Sequence, residues 1–185
     1  MCRPAGRTDV YIKTTKGTVM PALIALAVSV GVLAVGATWL FFLPALAMAN
    51  LQVWQGFIAW GCHYHCGGKI TGTRNTIICM SFGAVVGMAA VLLAAHLPLG
   101  SLAAPVAVGI GAAVIVLSSK IPLLAAIPAS VYGFASIAGL ILLGGSGMSA
   151  TKALVPTILS IIIGAAFGYV SEAIAGALTK KSAAG

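Results

Sequence analysis

Residues 76–97 read TIICMSFGAVVGMAAVLLAAHL, twenty-two positions without an Asp, Glu, Lys or Arg. As a helix rising about 1.5 Å per residue, the run is about 33 Å long and matches the roughly 30 Å hydrocarbon thickness of a bilayer. The rest of the chain has the same character. Of its 185 residues 61% are hydrophobic and 6% charged, and the mean hydropathy is +1.13. A soluble domain is about 45–50% apolar and about 25% charged. A single core of this chain length cannot bury so much apolar surface. Composition therefore excludes a soluble enzyme, a secreted disulfide module and a disordered tail, and leaves an integral membrane protein.

Five more runs flank the first. They cover residues 19–43 (stopped by Pro44), 50–66 (stopped by Gly67-Gly68), 102–118, 122–143 (stopped by Gly144-Gly145) and 153–178. The expectation is an all-α polytopic membrane protein with six transmembrane helices. Residues 1–17 form a basic tail, 18–178 a single transmembrane domain, and 179–185 a second short tail. The apolar run after the basic tail is too long for the core of a signal peptide, so it reads as a retained first helix.

Ten Lys and Arg stand against two acids, Asp9 and Glu172, for a net charge of +8. In a soluble protein that balance suggests nucleic acid. Here the cations fall singly between spans, which implies a topology signal and anionic headgroups, and no nucleic-acid partner. Nine of the ten lie on one side of a six-span topology; only Lys152 lies on the other. The positive-inside rule then places both termini in the cytoplasm. Cys62, Cys66 and Cys79 flank the loop that carries Lys69 and Arg74, and Cys2 lies in the basic tail, all on the reducing side.

The two halves of the chain resemble each other. TIICMSFGAVVG (76–87) aligns with TILSIIIGAAFG (157–168), pairing Thr76 with Thr157, Gly83 with Gly164 and Gly87 with Gly168. Upstream, WQGF (54–57) aligns with VYGF (131–134), and Gly67-Gly68 with Gly144-Gly145. With three helices per copy (about 19–97 and 102–178), the second copy must insert upside down. The expectation is a 3+3 inverted-topology repeat, whose pathway in channels and carriers lies at the repeat interface.

Helical projection of the second run gathers Gln52, Gln55, Gly56, Ala59, Cys62, His63 and Cys66 on one arc. Val53, Trp54, Phe57, Ile58, Trp60 and Tyr64 fall opposite, where bulky rings suit lipid. Amides in hydrocarbon need partners, so the small polar arc faces other helices or a water-filled path. Candidate pathway residues are Gln52, Gln55, Ala59 and His63, with Tyr132 and Ser136 on the fifth run. Interhelical hydrogen bonding by Gln52 and Gln55 is an equal alternative. Gly83, Gly87, Gly164 and Gly168 form small-xxx-small pairs suited to close helix packing. Glu172 is the only acid inside a span and, with His63, the candidate intramembrane titratable group. It lies about 12 Å along the helix from Lys180, so it also reads as an interfacial carboxylate.

Cys62, His65 and Cys66 have helical spacing that invites a metal reading, but no carboxylate is near and no structural zinc pattern fits; the expectation is no metal and no cofactor. No Ser/His/Asp grouping, paired carboxylates, phosphate loop or HExxH occurs, so no catalytic residues and no enzyme are expected.

The stretch VWQGFIAWGCHYHCGG (53–68) resembles the SWxGFxG…YFxC…GG region of the YcdZ-like bacterial inner-membrane proteins, a domain-of-unknown-function family. IPASVYGFASIAGL…GG followed by LVPTILSIIIGAAFGY resembles it too, so the likeness covers most of residues 20–175. Residues 1–17 look like an extension, and CHYHC is more polar than the family pattern. The resemblance implies a small six-helix protein of the bacterial inner membrane and carries over no functional residues. The function expected is a channel or facilitator for a small neutral or weakly ionised solute, assembled as a homo-oligomer. The alternative is a non-transporting membrane scaffold or regulatory subunit.

Overall fold

The computed structural model describes residues 21–144 and 147–183. The basic tail expected over residues 1–17 lies outside them, as do Cys2 and Gly145. Among the described residues seven α-helices follow in order: α1 (Ala22–Phe41), a short α2 (Pro44–Met48), α3 (Val53–His65), α4 (Lys69–His96), α5 (Ala103–Ser118), α6 (Ile127–Leu143) and α7 (Ala150–Ala183). Turns of 3-10 helix precede α5 and α6, at Gly100–Leu102 and Pro122–Leu124. No strand occurs among the described residues.

Among the described residues four helical segments are long and apolar enough to cross a membrane: Ala22–Phe41, Lys69–His96, Gly100–Ser118 and Ala150–Thr179. Many large apolar side chains point outward, Leu23, Val35, Leu117 and Leu142 among them, as lipid-facing surface requires. The protein is a membrane protein.

Six full-length helices were the expectation, and two are shorter. α3 has 13 residues and α6 has 17, about 20 Å and 26 Å of helix. The backbone explains α3. Asn50 takes φ 58° and Gln52 is extended, at φ −111° and ψ 120°, so the chain reaches α3 through α2 and an irregular segment. The Gln52 N–H donates to Ser160 Oγ on α7 at 3.0 Å, which anchors the non-helical backbone inside protein. In the second half the 3-10 turn at Pro122–Leu124 and a non-helical Ala126 stand before α6 in the same way.

α4 differs in the other direction. Residues 69–75 are polar and read as loop, yet the helix begins at Lys69. α7 likewise extends past the expected limit of residue 178, through Ala183, where a tail was expected.

The packing has a regular scheme. α4 lies along α6, α3 lies along α7, and α4 meets α7 between them. α1 leans on α7, and α5 leans on α4. The outer helices bury one stripe each: Ala103, Ala107, Gly111 and Ile115 on α5, every fourth residue; Ala25, Ser29, Ala37 and Phe41 on α1, with the half-buried Leu33 completing the same spacing. Two crossings bring backbones into direct contact. A Cβ on Gly83 would overlap the Ser130 carbonyl oxygen, and one on Gly133 the Met80 carbonyl oxygen, at the α4–α6 crossing. A Cβ on Gly164 would overlap the Gly56 carbonyl oxygen, where α7 crosses α3. Between the crossings Ala59, Met80, Ala129 and Ile161 fill the centre with no exposed surface to speak of.

Candidate functional site

α3 supplies most of the site because, among the described residues, it carries the fully buried amide and imidazole, Gln55 and His63. Gln55, Ala59 and His63 recur at four-residue spacing, so they share one face, and all three are fully buried. Gln55 Nε2 donates to the Ser136 carbonyl on α6 at 2.9 Å and to Thr157 Oγ1 on α7 at 3.2 Å. Among the described residues its Oε1 has no partner, nor do the buried hydroxyls of Ser136 and Ser130 on α6 or Thr76 and Ser81 on α4. Gln52 is half-buried at the head of α3, and its Nε2 donates to the Asn50 carbonyl at 3.1 Å.

His63 lies at the other end of the same face. Its Nε2 is 3.0 Å from Glu172 Oε2 on α7, and its Nδ1 is 3.1 Å from Thr73 Oγ1 on α4. Gly168 leaves room for it: a Cβ there would stand 2.7 Å from the His63 Cβ. Glu172 Oε2 also accepts the Lys69 N–H at 2.5 Å. The carboxylate thus sits at the positive end of α4, and this contact is why α4 starts at Lys69. The turn that delivers it is left-handed throughout, with φ 94° at Gly67, 69° at Gly68 and 55° at Lys69. Lys69 is the unusual one, since a side chain disfavours that region by about 1–2 kcal/mol. Lys69, Ile70, Tyr169, Glu172 and Ala173 line an open cleft of about 340 Å³ beside the junction.

A second polar knot joins α3, α7 and α1. Ser171 Oγ meets Trp60 Nε1 at 2.9 Å and Tyr64 OH at 2.6 Å, and the Ser29 hydroxyl donates to the Ser171 carbonyl at 2.8 Å. Trp60, expected on the lipid face, is instead 4% exposed and stacks between Phe57 and Phe167. Its indole N–H needs an acceptor when dehydrated, and Ser171 provides one. Phe57 does face outward, and Trp54 rests its ring against Gly139.

Of the residues singled out in the sequence, Gln55, Thr157 and Ser136 come together, and so do His63 and Glu172. Tyr132 is apart from Ser136's amide contact; its hydroxyl meets His65 Nδ1 at 3.0 Å. That contact turns His65 away from the reading with Cys62 and Cys66, whose sulfurs are 3.8 Å apart. No three His, Cys, Asp or Glu side chains gather as a metal set among the described residues. Gly87 lies against Ile137 and the Phe134 backbone of α6.

Sequence reasoning missed the His63–Glu172 pair as a pair, along with Thr73. One signal was present. A lone acid within a span needs a partner, and His63 was the buried-face group best suited to provide it.

The chain matches no curated protein and no solved structure. The model of a family described as a protein of unknown function (DUF1097) matches residues 27–176. That span is most of the chain, and the protein belongs to this family.

Proposed function

We propose that the protein is a facilitator for a small neutral or weakly ionised solute, a YcdZ-like member of its family in the bacterial inner membrane with both termini cytoplasmic. The observation that carries this reading is the set of buried polar atoms without partners among the described residues, Gln55 Oε1 on α3 and the Ser136 and Ser130 hydroxyls on α6. Such an atom in a dry interior costs about 1–3 kcal/mol, so it needs water or a hydrogen-bonding solute. In proteins built from inverted repeats, short interrupted helices at matching places in the two halves mark the pathway. α3 and α6 hold those places, each preceded by a brief helical turn.

The same reading takes the chain as a 3+3 inverted repeat with six crossings, two of them made by the discontinuous α2–α3 segment and by α6. The packing scheme supports it. Exchanging the halves turns α3-on-α7 into α6-on-α4 and α1-on-α7 into α5-on-α4. Gly164 against Gly56 becomes Gly83 near Gly133. A homo-oligomer completes the proposal, since α1 and α5 leave broad apolar faces. In this conformation Ala59, Met80 and Ile161 close the path, so transport requires the crossings to shift.

The alternative is a solid scaffold, favoured by the backbone contacts at Gly83, Gly133 and Gly164 and by the use of the Gln55 amide N–H in interhelical bonds. Liposomes carrying the purified protein, tested against ammonia, urea, short amides and small acids, separate the two. The facilitator speeds entry of at least one solute, and Gln55→Leu abolishes the gain. No flux of any solute supports the scaffold. No enzymatic activity is proposed.

A further inference from the structure

We infer that Cys62 and Cys66 form a binding site for a soft monovalent metal ion such as Cu(I) or Ag(I). The inference goes beyond the facilitator reading and does not depend on it. The two residues are one turn apart at the end of α3, and their sulfurs stand 3.8 Å from each other. Two metal–sulfur bonds of about 2.3 Å span that separation at a bend of about 110°, and a side-chain rotation at the half-buried Cys66 opens it toward the near-linear geometry of two-coordinate Cu(I) and Ag(I). A disulfide is the poorer fate for this pair. Residues four apart on a helix hold their Cβ atoms about 5–6 Å apart, and a disulfide needs about 3.5–4.5 Å.

A second observation points to the same place. The Thr76 hydroxyl on α4 is fully buried, has no oxygen or nitrogen partner among the described residues, and lies next to both cysteines. A hydroxyl there donates to thiolate sulfur, the form that binds metal. Cys62 is buried, and Cys66 is half-buried at the helix end, so the ion has a way in. Thiolate ligands favour soft cations, Cu(I) and zinc among them, and a pair suffices for a monovalent ion that accepts two ligands. Zinc would require four ligands. Binding forms two metal–sulfur bonds and releases two S–H protons to solvent, with no change of oxidation state.

The test uses the full chain with Cys2→Ser, purified in mild detergent without oxygen. Cu(I) is titrated against a chromogenic Cu(I) chelator. The expected result is one Cu(I) per chain, lost in Cys62→Ser and in Cys66→Ser and kept in His65→Ala. X-ray absorption should show sulfur neighbours and no imidazole. Because a serine variant can misfold, the otherwise unaltered protein is also mapped directly. Bound Ag(I) should protect Cys62 and Cys66 from alkylation and leave Cys79 unchanged. Chelator outcompeting the protein, unchanged stoichiometry in folded serine variants, imidazole scattering, or equal protection of all thiols would each overturn the site.

Discussion

At the scale of single residues, Glu172 joins three helices through one carboxylate. It pairs with His63 on α3, sits on α7 and accepts the first N–H of α4. Glu172→Gln keeps a hydrogen-bonding shape and removes the charge at the helix start, a change of about 0.3–1 kcal/mol. Glu172→Ala also leaves the buried His63 imidazole without its partner, a loss of about 1–3 kcal/mol. Thermal unfolding in detergent should rank the proteins wild type, Gln, Ala. Equal melting of all three would mean the junction contributes no stability. The pair was not legible from periodicity because its members are 109 positions apart. Trp60 was misplaced for a related reason. Projection assigns a ring to a face, but α7 covers that face, and only its Ser171 reveals that the indole has an acceptor.

The elements were legible in proportion to how far they obey local rules. α1, α4, α5 and α7 each contain an apolar window long enough to cross lipid, and that length makes them plain. α3 was read too long because Asn50 and Gln52 leave the helix through a backbone conformation that hydropathy does not register. α4 was read too short because its polar first turns are supported by a carboxylate from α7. The glycine crossings belong to this scale. Gly83→Ala, Gly133→Ala and Gly164→Ala each force backbone against backbone and should lower stability by at least about 1–3 kcal/mol. Gly109→Ala meets open space on α5 and should leave it unchanged or raise it by about 0.5–1 kcal/mol. Melting temperatures of the four variants decide the matter. If Gly83→Ala melts with wild type, the crossing is looser than its geometry.

For the whole molecule, the proposed topology makes a direct demand. Reporter fusions after Lys120 and after Lys152 should report opposite sides of the membrane, and the same side for both would remove the inversion. Superposing the first three-helix unit on the second should need a rotation near 180° about an axis in the membrane plane. Mass measurement in mild detergent should exceed one chain. Thiol labelling of single cysteines gives a finer test of the pathway. Positions 55 and 59 should react with a water-soluble reagent during transport, and position 57 should not. Labelling at 57 alone would place the water on the other face of α3.

The distribution of partners along the chain has a consequence for how the protein is made. α3 emerges from the ribosome about a hundred residues before α7. Yet α7 holds the partners of the Gln52 N–H at its head and of the Trp60 indole, at Ser160 and Ser171, and one of the two partners each of the Gln55 amide and the His63 ring, at Thr157 and Glu172. Until then a helix of 13 residues with exposed amides has no stable home in lipid. Insertion one helix at a time is therefore unfavourable, and the nascent chain must be sheltered until its last helix arrives. A chain truncated after Leu143 should be degraded rapidly in cells, and supplying residues 147–185 as a separate polypeptide should restore its lifetime.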